Sequence, residues 1–314
     1  MMQESKMRFI TIGYGVQGRK RAAVAGDSSV GIVDPYSKEA NYKDIKEVPL
    51  NTFDGAFVCT PDSEKKEILK YLLEKGKHVL VEKPLFLESK EELLFLKNLA
   101  KKNGATCCTA YNHRFEPHFI KMREVLQSGL LGKVYKIRLF YGNGTARLVK
   151  ESLWRDKGYG VLPDLGSHLL DTFLFWFSDE KVQDFKVLRS SSFENKAPDF
   201  FSFSNNPKKN SDMYVQFDMT LLSWRNHFTA DIFAEKGSAH ISSLCKWGPS
   251  TFTVRHRKFP SGRPTEESHT LVQPDPTWEI EYKMFLDKCE KNYTNIDNDI
   301  WIQEKLNSLY NQCA

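Results

Sequence analysis

Three stretches of this chain bring together residue types able to hold a phosphorylated cofactor or to move a proton. The first is Gly13-Tyr14-Gly15-Val16-Gln17-Gly18, between an apolar run over residues 7–12 and the helix-like segment Arg19 to Ala25. Glycines at this spacing allow a tight turn, let a pyrophosphate reach backbone N–H groups and let the helix pack closely on the strand. The helix N-terminus adds a field that favours negative charge. Alone the pattern is weak, but Asp34 follows about 20 residues on, at the end of the next apolar run. A carboxylate there accepts hydrogen bonds from an adenosine ribose and repels a 2′-phosphate, so the pair points to NAD rather than NADP, with Ser37 tempering that preference.

The second stretch is Glu82-Lys83-Pro84, at the carboxyl end of the run His78 to Val81. Open α/β sheets bind ligands at that edge. A lysine after a strand is nonetheless more often a solvated charge. The third stretch runs from Gly158 to Asp171, where a glycine loop leads into a helix carrying Asp164, His168 and Asp171 on one face and Leu165, Leu169, Phe173 and Trp176 on another. A histidine flanked by acids can serve as a general base, because the acid fixes its tautomer and stabilises the imidazolium. An N-cap Asp164 and a surface His168 explain the same residues equally well. No third set of ligands accompanies them, so no metal is expected.

The elements that must position these residues follow from periodicity. Short apolar runs end at Gly13, at Asp34-Pro35, at Thr60-Pro61 and at Glu82-Lys83-Pro84, and Ala105 to Ala110 reads as a further strand. Between the third and fourth runs Ile68, Leu69, Leu72 and Leu73 recur at helical spacing, with Gly76 as the stop. Ser89 and Glu92 form a capping box for a helix that buries Leu93, Leu96 and Ala100, closed by Gly104. Alternation of strand and helix implies parallel strands with right-handed crossovers, hence a doubly wound sheet. After a helix from about Glu116 to Gln127 the pattern changes to long alternating segments, such as Met213 to Leu222 and Asn226 to Ala234, which predict a largely antiparallel sheet. Helices are expected again over Trp278 to Cys289 and Ile300 to Tyr310. The division expected is residues 1–115 for the dinucleotide and 116–314 for substrate binding and oligomerisation.

Composition bounds the alternatives. The chain has 314 residues, and 45 Lys+Arg against 40 Asp+Glu leave a net +5 spread over interspersed charges. Arg19-Lys20-Arg21 is too short for the basic stripe that nucleic acid needs. No apolar run reaches the ~18 residues of a membrane span, and a cytoplasmic protein is expected. Six cysteines without C-x-x-C spacing read as reduced packing residues.

The set Gly13-x-Gly15-x-x-Gly18, Thr60-Pro61, Glu82-Lys83-Pro84-Leu85, Tyr111-Asn112-x-Arg114-Phe115, Trp154-Arg155 and Asp164-x-x-x-His168 resembles the Gfo/Idh/MocA oxidoreductases. The likeness runs in family order from about residue 7 to 180. It implies a Rossmann domain followed by an α+β domain with a large open sheet, whose exposed face commonly builds dimers or tetramers. It also implies that Lys83, Asp164 and His168 act on a sugar hydroxyl, that Glu82 and Asn112 lie near the nicotinamide, and that Thr60 and Pro61 lie near the middle of the cofactor. Arg114, Trp154 and Arg155 become candidates for touching substrate. One departure stands out: where many relatives carry His a few residues after Thr-Pro, this chain has Glu64 and Lys65.

Substrate is the least legible part. Ser223-Trp224-Arg225-Asn226-His227 and Lys246-Trp247-Gly248 suit a sugar nucleotide but suit a dimer face somewhat better. Within the family the chain most resembles compact members that oxidise nucleotide-activated sugars, which points to the 3-hydroxyl of UDP-N-acetylglucosamine, as used for lipid A or surface polysaccharide. A free sugar or an inositol-like cyclitol, and a cofactor-binding regulator without turnover, remain the alternatives.

Overall fold

The computed structural model describes residues 6–152, 155–177, 184–207, 209 and 212–313. They form two compact units, the first comprising the chain up to Asn112 together with Thr277–Gln303, the second His113–Pro276 together with the chain from Glu304 onward. This differs from a single cut near residue 115, because the penultimate helix and half of the last one return to the first unit. The reason is long-range packing, described below.

The first unit contains β1 (Phe9–Ile12), α1 (Val16–Ala25), β2 (Ser29–Val33), β3 (Gly55–Val58), α2 (Asp62–Glu74), β4 (His78–Glu82), α3 (Lys90–Lys102) and β5 (Cys107–Ala110). Its five strands are all parallel, in the order β2-β1-β3-β4-β5. The interior strands β1, β3 and β4 carry no exposed residue, as a covered parallel sheet requires, and the edge strand β5 is buried as well. On one face Ile10, Val58 and Val81 pack with Leu69, Leu72 and Leu73 of α2 and Leu93 and Leu96 of α3. On the other, Phe9, Phe57, Leu80 and Cys108 pack with Ala25 of α1, and the rest of their cover comes from far along the chain.

That cover is the late helix α7 (Thr277–Cys289). Its Phe285 lies 5.7 Å from the ring of Phe9 and 6.3 Å from that of Phe57, and the two strand phenylalanines stack at 5.1 Å. The union is reinforced electrostatically. Arg21 of α1, its side chain only 4% exposed, meets Glu82 Oε1 at 2.8 Å and Glu281 Oε2 at 2.6 Å, and its guanidinium lies 4.3 Å from the ring centre of Trp278. Burial works against the Arg21 charge, but the two carboxylates outweigh it and hold the guanidinium more firmly protonated than usual. One member of the Arg19-Lys20-Arg21 trio is thus turned inward.

The second unit contains α4 (Pro117–Gln127), β6 (Val134–Gly142), α5 (Ala146–Lys150), α6 (Ser167–Trp176), β7 (Phe185–Ser191), β8 (Phe200–Asn205), β9 (Tyr214–Thr220), β10 (His227–Ala234), β11 (Gly237–Ser242), β12 (Ser250–His256) and β13 (Thr265–Leu271); α7 (Thr277–Cys289) and α8 (Ile296–Asn311) follow. Its eight strands run in the order β13-β12-β11-β10-β6-β9-β8-β7, antiparallel except where β6 pairs with β9. One face of the sheet packs on α4 and α6: Phe173 meets Phe217 edge-on at 6.1 Å, and the Trp176 indole donates to the Phe119 carbonyl at 3.0 Å. The opposite face is polar, with Asp218 accepting from Arg138 and Ser202. The expected continuous helix from Asp164 instead opens with a π-helical turn over Leu162–Gly166 before α6. Among the described residues no helix is long and apolar enough to cross a membrane.

Removing the Arg21 charge strands two buried carboxylates, and breaking such a pair costs about 3–5 kcal/mol. Arg21→Met is therefore expected to lower unfolding free energy by about that amount in urea titration, with Glu281→Gln costing less.

Candidate active site

The glycine loop divides its labour. Gly13 has a φ of +85°, and a Cβ there would lie 2.8 Å from the Cys59 carbonyl oxygen, while a Cβ on Gly18 would lie 2.0 Å from the carbonyl oxygen of Gly13. Both glycines are demanded by the fold itself. Gly15 is different: a Cβ there meets nothing within 4 Å. It opens α1, and Val16 and Gln17 beside it are exposed, so the first-turn N–H groups, which have no intrahelical acceptor, face an open space. This is the arrangement that accepts a pyrophosphate.

Asp34 closes the adenosine side. Its Oδ2 accepts from the Tyr14 N–H at 2.7 Å, and its Oδ1 accepts from those of Tyr36 at 2.8 Å and Ser37 at 2.7 Å. Partial burial pushes this carboxyl up, but the three N–H donors win and hold it below the usual range. A carboxylate offers about four lone-pair sites, so roughly one acceptor position is left for a ribose hydroxyl. At the end of β3 the Thr60 hydroxyl is buried and has no hydrogen-bond partner among the described residues. These features fit a dinucleotide.

Lys83 leaves the carboxyl end of β4 partly buried and is joined to Pro84 by a cis peptide bond. Glu82, expected near the nicotinamide, is bound to Arg21. The Asn112 side chain donates to the Thr277 hydroxyl at 2.9 Å. Sequence reasoning missed Lys65. This buried residue of α2 donates to Asp62 Oδ1 at 2.7 Å and to the carbonyl oxygens of Glu82 at 2.6 Å and Pro84 at 2.7 Å.

In the second unit His168 is only 6% exposed, so it is not a surface histidine. Its ring stacks on that of His113 at 3.9 Å and 17°, and Lys246 lies 2.9 Å from His113 Nε2, where the ammonium donates. Asp164 Oδ2 accepts from Arg155 at 3.3 Å. Arg114 is held by Asp171 through bonds of 2.8 and 2.6 Å, so the face that sequence spacing gave to three polar residues is shared with a structural ion pair. Burial pushes the Asp171 carboxyl up, and Arg114 opposes that shift. Trp154 lies outside the described residues. His113 and Lys246 were not singled out as site residues, although both sit inside motifs that were.

One group with metal-ligating atoms lies together among the described residues: Glu116, Cys245 and Asp275, within 4.8 Å of one another. Burial raises the Glu116 carboxyl despite hydrogen bonds from the Cys245 thiol and N–H, and burial likewise raises the thiol. A carboxyl and a thiol that burial raises and that hydrogen-bond to each other, with the Lys246 charge acting on both, make a poor cation cage.

Residues 7–111 match the oxidoreductase family with NAD-binding Rossmann fold of the Gfo/Idh/MocA proteins, and residues 119–240 match the C-terminal domain of the same family. The chain belongs to that family. Curated relatives include the glucose-6-phosphate 3-dehydrogenase of Bacillus subtilis, 27% identical over 46% of this chain and 42% of the relative. The inositol 2-dehydrogenase of Rhizobium meliloti is 24% identical over 56% of each. The chain thus spans about half the length of these relatives. Among solved structures, levoglucosan dehydrogenase in complex with NADH and levoglucosan superposes with a TM-score of 0.82 at 15% identity, covering 98% of this chain and 96% of that one. The UDP-N-acetylglucosamine 3-dehydrogenase GnnA of Acidithiobacillus ferrooxidans gives 0.80 at 18%, covering 98% and 97%. At these identities the likeness is one of fold.

Because Gly15 alone of the three loop glycines faces open space, Gly15→Ala is expected to leave Tm unchanged in scanning calorimetry while weakening binding of a nicotinamide dinucleotide by about tenfold or more. Gly18→Ala should lower Tm whether or not cofactor is present. For Glu116, a carboxyl raised in the fold keeps its proton after the unfolded chain has lost it. Its contribution is therefore intact below the unfolded pKa and declines as pH rises toward the folded one. Glu116→Gln removes that decline, so the Tm gain over wild type should be larger at neutral than at acidic pH.

Proposed function

We propose that this protein is an NAD-dependent dehydrogenase that oxidises a secondary hydroxyl of a sugar, with the 3-hydroxyl of UDP-N-acetylglucosamine as the favoured substrate and a 3-keto nucleotide sugar as product. The observation that carries the reading is Lys83, partly buried at the carboxyl edge of the parallel sheet in a turn held by Arg21 and Lys65. A bound nicotinamide supplies the hydride acceptor. His168 takes the hydroxyl proton, Lys83 donates a hydrogen bond to the same oxygen, and Asp164 holds the charge that develops beside the base. The carbon–hydrogen bond breaks with its electron pair leaving as hydride, and the carbon–oxygen single bond becomes a carbonyl. Burial of His168 against the His113 ring suits a base that must stay in one orientation. Asp34 supports NAD over NADP, since its one remaining acceptor position meets a hydroxyl and repels a phosphate.

A free cyclitol is the second reading, favoured by the inositol 2-dehydrogenase relative, whose match covers more of this chain than that of the glucose-6-phosphate enzyme. Both readings are tested by incubating the protein with NAD and a panel of sugar nucleotides, free sugars and cyclitols while following reduced nicotinamide. Turnover is expected with a sugar nucleotide, and His168→Ala and Lys83→Ala should each reduce it by about 10²-fold with NAD affinity retained. Tight NAD binding with no reduction across the panel would favour a regulator, and near-normal turnover in both variants would remove these residues from the chemistry.

A further inference from the structure

The chain places Lys65 where relatives often carry histidine, and the structure gives that departure a purpose. Lys65 belongs to the buried stripe of α2: it precedes Leu69 by one helical turn and Leu72 by two, positions at which an aliphatic residue is expected. Its side chain is 1% exposed. A buried ammonium is costly unless charge and hydrogen bonds answer it. Here all three donors of the ammonium are met, by Asp62 Oδ1 at 2.7 Å and by the Glu82 and Pro84 carbonyl oxygens at 2.6 and 2.7 Å. Asp62 supplies the compensating charge from the first turn of the same helix.

The two carbonyls flank Lys83. We infer that Lys65 is a positioning residue for Lys83, its ammonium clamping the peptide on each side so that the Lys83 side chain leaves β4 in one direction. Arg21 secures the Glu82 side chain at the same turn, so residue 82 is held through both side chain and carbonyl. A histidine in place of Lys65 would offer fewer donors and would lose its charge near neutral pH. The lysine offers three donors from one atom. The inference rests on the role proposed for Lys83, and a misplacement of about 1 Å at a reacting group can cost about 10²-fold in rate.

The test is a double-mutant cycle in the full chain with Lys65→Met and Lys83→Ala, combined with hydrogen–deuterium exchange. In the wild-type background Lys65→Met should lower kcat by about tenfold or more while leaving the KM for NAD within about twofold. In the Lys83→Ala background it should cost almost nothing further, because the side chain it positions is gone. Equal losses in both backgrounds would show a merely structural lysine and overturn the inference. Exchange needs no substrate: amides at residues 83, 85 and 86 should exchange at least about tenfold faster in Lys65→Met, with those of β3 unchanged. Unchanged exchange at that turn would likewise overturn it. If Lys65→Met does not fold, Asp62→Asn loosens the same ammonium and should give a smaller kcat loss with the same non-additivity, full additivity contradicting the clamp. Faster exchange at the turn without dehydrogenase turnover on any sugar would support the clamp and count against the proposed function alone.

Discussion

The first unit depends on two buried cations that converge on a single turn of chain. Arg21 and Lys65 reach the Glu82–Pro84 segment from different helices, one through the Glu82 carboxylate and the other through two carbonyls. Neither interaction is an inexpensive way to stabilise a protein. Desolvating a charge costs several kcal/mol, and an apolar replacement often does as well for stability. What such contacts provide is geometry, because charged groups in low dielectric tolerate little displacement. The same guanidinium also ties down α7 through Glu281, which joins the far end of the chain to the sheet edge where Lys83 emerges.

The cofactor loop shows a related economy. Gly13 and Gly18 are packed against backbone and serve the fold, whereas Gly15 keeps a volume open that the fold does not use. Asp34 spends most of its acceptor capacity ordering Tyr14, Tyr36 and Ser37 around itself, which leaves a fixed carboxylate with little freedom to adapt to a different ribose. In the second unit the aromatic stack of His168 on His113, with Lys246 bonded to the latter, orients a base candidate by packing and by a donor.

Local pattern made much of this legible. The four apolar runs that end at glycine or proline became β1 to β4, and Ala105 to Ala110 became β5, because a covered parallel strand must be apolar on both faces. Gly13 and Gly18 pack against backbone as the tight turn expected from their spacing requires, and Asp34 directly follows β2. The partnership of α7 with the first unit was not legible, since Phe285 meets Phe9 and Phe57 across most of the chain and no local periodicity records it. The π-helical turn at Leu162–Gly166 was missed for a different reason: Pro163 and Gly166 are poor helix formers, but nothing in Leu-Pro-Asp-Leu-Gly specifies a widened turn rather than an ordinary helix start. The pairing of Arg114 with Asp171 was not legible either, because nothing in the spacing of the two motifs ties one to the other. Lys65 drew notice only as a departure from the family, and its three acceptors, two of them backbone carbonyls, could not be read from side-chain identity.

The central claim is that hydrogen passes from a sugar carbon to the cofactor at a site that includes Lys83. It is tested most directly with the panel sugar that is turned over, deuterated at the carbon being oxidised, by mass spectrometry of the reduced nicotinamide. The account predicts deuterium in the cofactor together with slower turnover of the labelled sugar. Reduced cofactor without deuterium, or labelled sugar turned over with the label lost to water, would contradict it.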